Sequence, residues 1–287
     1  MTLLSGRKFL LFSLLAVSAS SYAELKPMAD DELASYTGQA IFAIDEYQVT
    51  QADTSNVDFM RVTYGADIET NLTVDKIELG KYDRAGYTAA ADIDIDNLSL
   101  GHIDATTKEY VPFQATDPYM EFAFSTNNGV REVVGFRMGF GSAQGSMTAD
   151  INTLTGNVGI EIDDGTGTVA AGQLLDATGA ASNIRATNIG LAGDCSANCV
   201  ALSDMATLQI GELDPTNGVQ AAQDMFLSYQ NIDLEWAKSV NDPSQTINAL
   251  QGAFINLPTS MSVTTGVLTD PARIEATRYT DASLGLF

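Results

Sequence analysis

Beyond residue 41 the hydrophobic pattern is that of strands. Short runs rich in Ile, Val, Thr, Phe and Tyr alternate with polar residues and are punctuated by Gly, Asn and Asp. A period of two with turn-forming breaks predicts half-buried β-strands. Two of them, Tyr119–Ser125 and Val130–Phe140, flank Asn127-Asn128-Gly129, and Asn-Gly between alternating runs is a strong hairpin signal. The Gly-rich stretch from Gly139 to Ile162 reads as closely packed strands with tight turns. Residues 163–182 carry little pattern and read as a flexible surface loop, with Asp163-Asp164-Gly165-Thr166-Gly167 as a turn. Helix is expected only around Val219–Met225 and Ser244–Phe254, and over a short segment before the strands. There, residues 24–40 place Asp30 and Asp31 where a helix N-terminus favours acids, and Gly38 where a helix stops.

One unit recurs. Val74–Asp83, Ile95–Asp104 and Met205–Asp214 share the order apolar, two others, apolar, any, apolar, Gly, any, apolar, Asp. A straight strand would keep its apolar residues on one parity. Here Leu72 and Val74 differ in parity from Ile77 and Leu79, and Ile93 and Ile95 differ from Leu98 and Leu100. A β-bulge restores the inward direction after such a switch. Gly80, Gly101 and Gly211 then permit positive φ at the next bend. The third copy stands far downstream, which argues against an uninterrupted solenoid. The expected fold is all-β and mainly antiparallel, a large bent or curled sheet or sandwich. A short helix precedes it, and minor helices are few.

The extreme N-terminus reads as an address. Arg7 and Lys8 precede the apolar run Phe9–Val17, and Ser21 and Ala23 stand at the −3 and −1 positions of a cleavage site. That order is a secretory signal peptide, too short to span a bilayer. No Cys lies near the site, so no lipoprotein anchor is expected. No later run approaches the length of a transmembrane helix. Residues 1–23 are thus read as signal peptide, 24–40 as a helical segment and 41–287 as one β-rich domain. The expected location is the periplasm, the outer-membrane surface or the extracellular space.

Composition narrows the partners. The 287 residues carry 14 Lys and Arg against 37 Asp and Glu, a net charge of −23. Phosphate backbones are bound by clustered cations, so nucleic acid is not an expected partner. Cys195 and Cys199 lie in a Gly/Asp/Asn/Ser-rich turn, and in an oxidising compartment they are expected to form a small disulfide. A zinc site needs about four ligands, which two Cys and one distant His do not supply.

Catalytic constellations are not apparent. The single histidine, His102, occupies the repeat position of Lys81 and Glu212, so it reads as a solvated loop residue rather than a base. No G-x-S-x-G elbow occurs, and Gly139–Gly145 lacks the spacing of a phosphate loop. Asp92, Asp94 and Asp96 are weak candidates for calcium, since hard cations take several carboxylate oxygens, but the segment lacks the Gly and Glu of a calcium loop. A solvated acidic sheet face is the simpler reading, and no cofactor is expected. An outer-membrane barrel is a further alternative. Ser283 and Gly285 occupy positions where a terminal barrel strand wants apolar residues, and 8% aromatics are few for two girdles.

The segment Leu25-Lys-Pro-Met-Ala-Asp-Asp-Glu-Leu-Ala-Ser-Tyr-Thr-Gly-Gln-Ala40 resembles the mature N-terminus of a family of secreted Gram-negative proteins, FilA-like and pilus-associated, with no established activity. Asp117–Phe124, Val134–Gly145 and Ile151–Asn157 are similar to that family's middle. Tyr36 and Ile41 depart from its usual Val and Gly. The resemblance implies an exported β-rich envelope protein and transfers no catalytic residue. The resulting expectation is a non-enzymatic envelope or surface structural protein, associated with pili, filaments or further copies of itself. The alternative is a secreted module that binds calcium or carbohydrate through acidic strand faces.

Overall fold

In the computed structural model the described residues are 42–264, apart from 54, 88, 89, 105, 128, 164–168, 192–198, 206 and 215. The expected signal peptide, the segment 24–40, the turn at 164–167 and Ser283 and Gly285 lie outside them. So does Cys195, which leaves the Cys195–Cys199 disulfide an expectation.

The chain opens with β1 (Phe42–Thr50), β2 (Asn56–Tyr64), β3 (Asp67–Thr70), β4 (Leu72–Leu79) and β5 (Ile93–Leu100). The small ribbon β6 (His102–Ile103) and β7 (Tyr110–Val111) comes next. Then follow the long β8 (Phe113–Asn127) and β9 (Val130–Leu154), and β10 (Gly156–Asp163). Short strands succeed them: β11 (Val169–Ala171), β12 (Gln173–Leu175), β13 (Asn188–Gly190), β14 (Cys199–Ala201), β15 (Thr207–Ile210), β16 (Glu212–Asp214) and β17 (Gly218–Gln220). The last are β18 (Phe226–Gln230), β19 (Leu234–Ser239), β20 (Asp242–Ala249) and β21 (Gly252–Thr264). The one helical element among the described residues is a 3-10 turn, Leu202–Asp204.

β9 is the spine. Residues Gly135–Gly139 pair with β8 on one edge and with β18 on the other. Further along, Met147 and Thr148 pair with β5 and with β15. One strand therefore serves two sets of neighbours, and the sheet curls about it. All pairings to β9 are antiparallel, and β10 with β21 forms a parallel exception. The Asn-Gly hairpin is present, with Asn127 opposite Val130 and Gly129 at φ +80°.

The parity switch has the expected physical cause. β5 and β9 slip register between Asp96 and Ser99, where Asn97 sits at φ +53°. The extra residue lets Ile93, Ile95 and Leu98 all face the core. β4 follows β5 in unbroken register through the bend, so the first two repeat copies are antiparallel neighbours bent together. The repeat glycines have φ of +68°, +82° and +144° at Gly80, Gly101 and Gly211. After Gly101 and Gly211 the chain forms the same device, a short ribbon closed by an Asx turn. Asp104 Oδ1 accepts from the N–H groups of Thr106 and Thr107, and Asp214 Oδ1 from those of Thr216 and Asn217.

Four expectations are corrected. The expected helix at Val219–Met225 is instead β17 followed by a bridge, in which Ala222 exchanges both backbone hydrogen bonds with Ala143 of β9. The expected helix at Ser244–Phe254 is β20, a turn and the start of β21. Ile247 and Ala249 point inward while Asn248 points out, a period of two that pairing with β19 enforces. Cross-strand hydrogen bonding overrides local helix preference in both. Residues 163–182 are not a loop throughout, because β12 pairs with β13 and buries Leu174 and Leu175. No tight turn interrupts Gly139–Leu154, which is continuous strand. Its glycines make room for neighbours: a Cβ on Gly139 would stand 2.6 Å from the Tyr119 hydroxyl.

Two cores result. The larger lies on the β5, β9, β10, β15 and β21 side and includes Ile93, Ile151, Leu154, Ile162 and Ile210. The smaller forms where the β19–β20 hairpin lies over β1, β2, β8, β9 and β18. There the single Trp236 is fully buried and meets Phe59 edge-on at 5.2 Å between ring centroids.

Candidate functional site

Each strand of the β1, β2, β8, β9 and β18 region shows one face to the β19–β20 hairpin and the other outward. The inward face holds the smaller apolar core and, within it, a charged cluster. Arg61, Glu121 and Arg137 stand directly opposite one another on β2, β8 and β9. Glu121 accepts from Arg61 Nε at 3.1 Å and Nη2 at 3.3 Å, and also from Arg137 Nε and the Tyr47 hydroxyl. Arg137 Nη2 reaches the Ala237 carbonyl of the hairpin at 2.6 Å, with its guanidinium 4.9 Å from the Trp236 ring centroid. Burial pushes the Glu121 carboxyl up, but the two guanidinium charges outweigh it and hold the group below its ordinary value. Burial, and then the Glu121 charge, push Tyr47 well above the usual phenol range. This network is a strut that fixes the hairpin to the sheet.

The opposite face carries a second apolar set. In cross-strand register, Ile44 opposes Val62, Val62 opposes Met120, Met120 opposes Met138 and Met138 opposes Leu227. A second row runs Met60, Phe122, Phe136, Tyr229. Phe42 and Tyr64 continue the face at one corner, with ring centroids 5.3 Å apart. Directly opposed side chains lie within contact distance, so the rows form one patch. Phe42 is 62% exposed, Ile44 67%, Met120 49% and Tyr229 58%. Isolated exposed hydrophobics are ordinary, whereas a contiguous patch spanning five strands is uncommon on a monomer's surface.

The patch runs out to an edge. β1 ends the sheet path, with its far side unpaired among the described residues. Its nine residues hold regular register with β2 and contain no Pro, Lys or bulge, and their charged side chains are the acids Asp45 and Glu46. The arrangement is suited to sheet extension and to apolar packing.

The acidic candidates are divided. Asp94 and Asp96 flank Lys76, whose ammonium lies 2.6 Å and 3.0 Å from them, and both also accept from Asn152. Asp92 is fully buried elsewhere, where its Oδ1 pairs with Arg185 at 2.9 Å and Arg84 at 3.3 Å. Its Oδ2 accepts the Ala253 N–H at 3.1 Å. Arg185, itself at φ +45°, donates onward to the carbonyls of Gly80, Tyr82 and Tyr87. The expected single solvated acidic face is therefore not what forms: Asp92 locks the segment after β4 to the core. Among the described residues no group of three or more His, Cys, Asp or Glu is placed to hold a metal ion. His102 is half-buried in β6 near Asp104, rather than in a solvated loop.

The apolar face was missed in the sequence because both parities of β8 and β9 look strand-like. The signal was present as an inversion. In Met120-Glu-Phe-Ala-Phe124 and Phe136-Arg-Met-Gly-Phe140 the large apolar residues alternate with a charge or a small residue, and the two charges are opposite in sign. Comparison with protein-family models, with curated proteins and with solved structures finds no match to this chain.

Proposed function

We propose that this chain is an exported, non-enzymatic structural protein of the cell envelope or its filaments. It assembles with further copies of itself through the apolar face and the β1 edge. The observation that carries this reading is the continuous patch from Ile44 to Tyr229, which reaches a strand at the end of the sheet path. The signal-peptide pattern and the family resemblance support export and the envelope setting. Because each copy is strongly acidic (−23 over the full sequence), association must overcome like-charge repulsion and will strengthen as salt screens it.

Light scattering coupled to gel filtration tests the assembly. The chain beginning at Glu24 is expected to form dimers or larger species, increasingly so at high salt. An Ile44→Asp, Met138→Asp double variant is expected to stay monomeric with its melting temperature little changed. A wild-type chain that stays monomeric at every concentration and salt would overturn the reading. Export is tested separately by N-terminal sequencing of envelope-fraction protein, expected to begin at Glu24; an intact Met1 would count against it.

A further inference from the structure

Away from the apolar face, a cleft opens between the β19–β20 hairpin and the sheet. It is lined by Asn157, Asn183, Asn248 and Asn256 together with Asp224 and Lys238. Four amides in one cleft are a specific chemistry. Three of them form a directed chain: Asn183 Nδ2 donates to Asn157 Oδ1 at 2.8 Å, Asn157 Nδ2 to Asn256 Oδ1 at 3.3 Å, and Asn256 Nδ2 to the Asp224 carbonyl at 2.7 Å. Each of these amides spends one N–H within the chain and keeps a second. Asn248 is exposed on β20, beside them. The half-buried Leu250 adds an apolar lining, over the buried Ile247.

The charged pair narrows the ligand. Lys238 Nζ stands 3.5 Å from Asp224 Oδ2, an electrostatic contact too long for a close hydrogen bond. The carboxylate therefore keeps lone pairs for a hydroxyl donor, while the ammonium keeps N–H groups for a hydroxyl acceptor. Lys238 is already neutralised by Asp224, and the chain's net charge repels anions, so phosphate and uronate are poor fits. A row of alternating donors and acceptors without net charge matches a polyol, whose every hydroxyl is both donor and acceptor.

We propose that the cleft binds a neutral glycan chain, its hydroxyls on the asparagine amides and on Asp224 and Lys238, and an apolar ring face toward Leu250. The site is separate from the apolar face and does not depend on the assembly reading.

Calorimetric titration of the chain beginning at Glu24 tests this with four soluble tetrasaccharides. Three are neutral, built from β-linked glucose, α-linked glucose and β-linked N-acetylglucosamine; the fourth is an acidic galacturonate. At least one neutral tetrasaccharide is expected to bind with a Kd of about 0.1–1 mM, and the acidic one at least about tenfold more weakly. Asn248→Ala and Lys238→Ala, both at exposed positions, are each expected to weaken binding about fivefold or more, as loss of one hydrogen bond does, with unchanged melting temperature. The proposal is overturned if none of the neutral sugars binds. It is equally overturned if the acidic one binds as tightly, or if both variants bind as the wild type does.

Discussion

Removing the carboxylate of Glu121 is the most demanding test of the inward polar network. In Glu121→Ala the Arg61 and Arg137 guanidiniums lose their shared acceptor, and Tyr47 loses its hydrogen-bond partner. Two like charges then face each other behind the β19–β20 hairpin, with Arg137 only 1% exposed. Breaking a buried pair from one side costs about 3–5 kcal/mol, mostly through the uncompensated charge. Since two cations are orphaned, the upper part of that range is expected, about 4–5 kcal/mol, a large share of the roughly 5–15 kcal/mol that stabilises a domain. Glu121→Gln keeps the volume and one acceptor oxygen but leaves both guanidinium charges uncompensated, so about 3 kcal/mol, the lower end of the range for a broken buried pair, is expected. The assay is urea unfolding followed by Trp236 fluorescence, since the only tryptophan is fully buried against Arg137 and Phe59. The pH dependence supplies a second reading. Glu121 is held below its ordinary 4.5, so its stabilisation is complete above that value and is lost as pH falls through the lower folded-state pKa. The stability gap between wild type and Glu121→Gln should therefore be constant from neutral pH down to about 5.5 and shrink below about 4.5. A loss under about 1 kcal/mol in Glu121→Ala, or a gap that does not change on acidification to pH 3, would refute the strut.

Other outcomes follow from single contacts. Gly101→Ala places a Cβ at φ +82° and 2.2 Å from Asn71 Oδ1, so a loss of about 1–3 kcal/mol is expected in the same unfolding assay. Asp92→Asn weakens the buried pairing that holds Arg185 and Arg84; proteolysis is expected to cut first between residues 80 and 91, and unchanged resistance there would count against the lock. Ile247→Ala opens a cavity beneath the hairpin and should cost about 2–4 kcal/mol with a red-shifted Trp236 emission.

How much of this was legible in the chain depends on the range of the physics involved. Local geometry was readable. The Asn127–Gly129 hairpin, the bulge between Ile95 and Leu98 and the positive φ of Gly80, Gly101 and Gly211 follow from parity and from the conformations a glycine permits, over a few residues each. Long-range partners were not. Ser244–Phe254 has helix-compatible residues, yet β19 supplies hydrogen bonds to β20 that no local pattern announces. Asp92, Asp94 and Asp96 alternate evenly, but Arg185, far along the chain, draws the first into the interior while Lys76 keeps the other two at the surface. The same holds for the candidate site. Parity tells which residues of β8 and β9 share a face, not which face is covered. A hairpin at residues 234–249 covers the side bearing Glu121 and Arg137, because Arg137 can bond its Ala237 carbonyl there and a carboxylate between two guanidiniums tolerates burial. Only that tertiary choice leaves Phe42, Ile44, Met120, Met138 and Tyr229 facing outward.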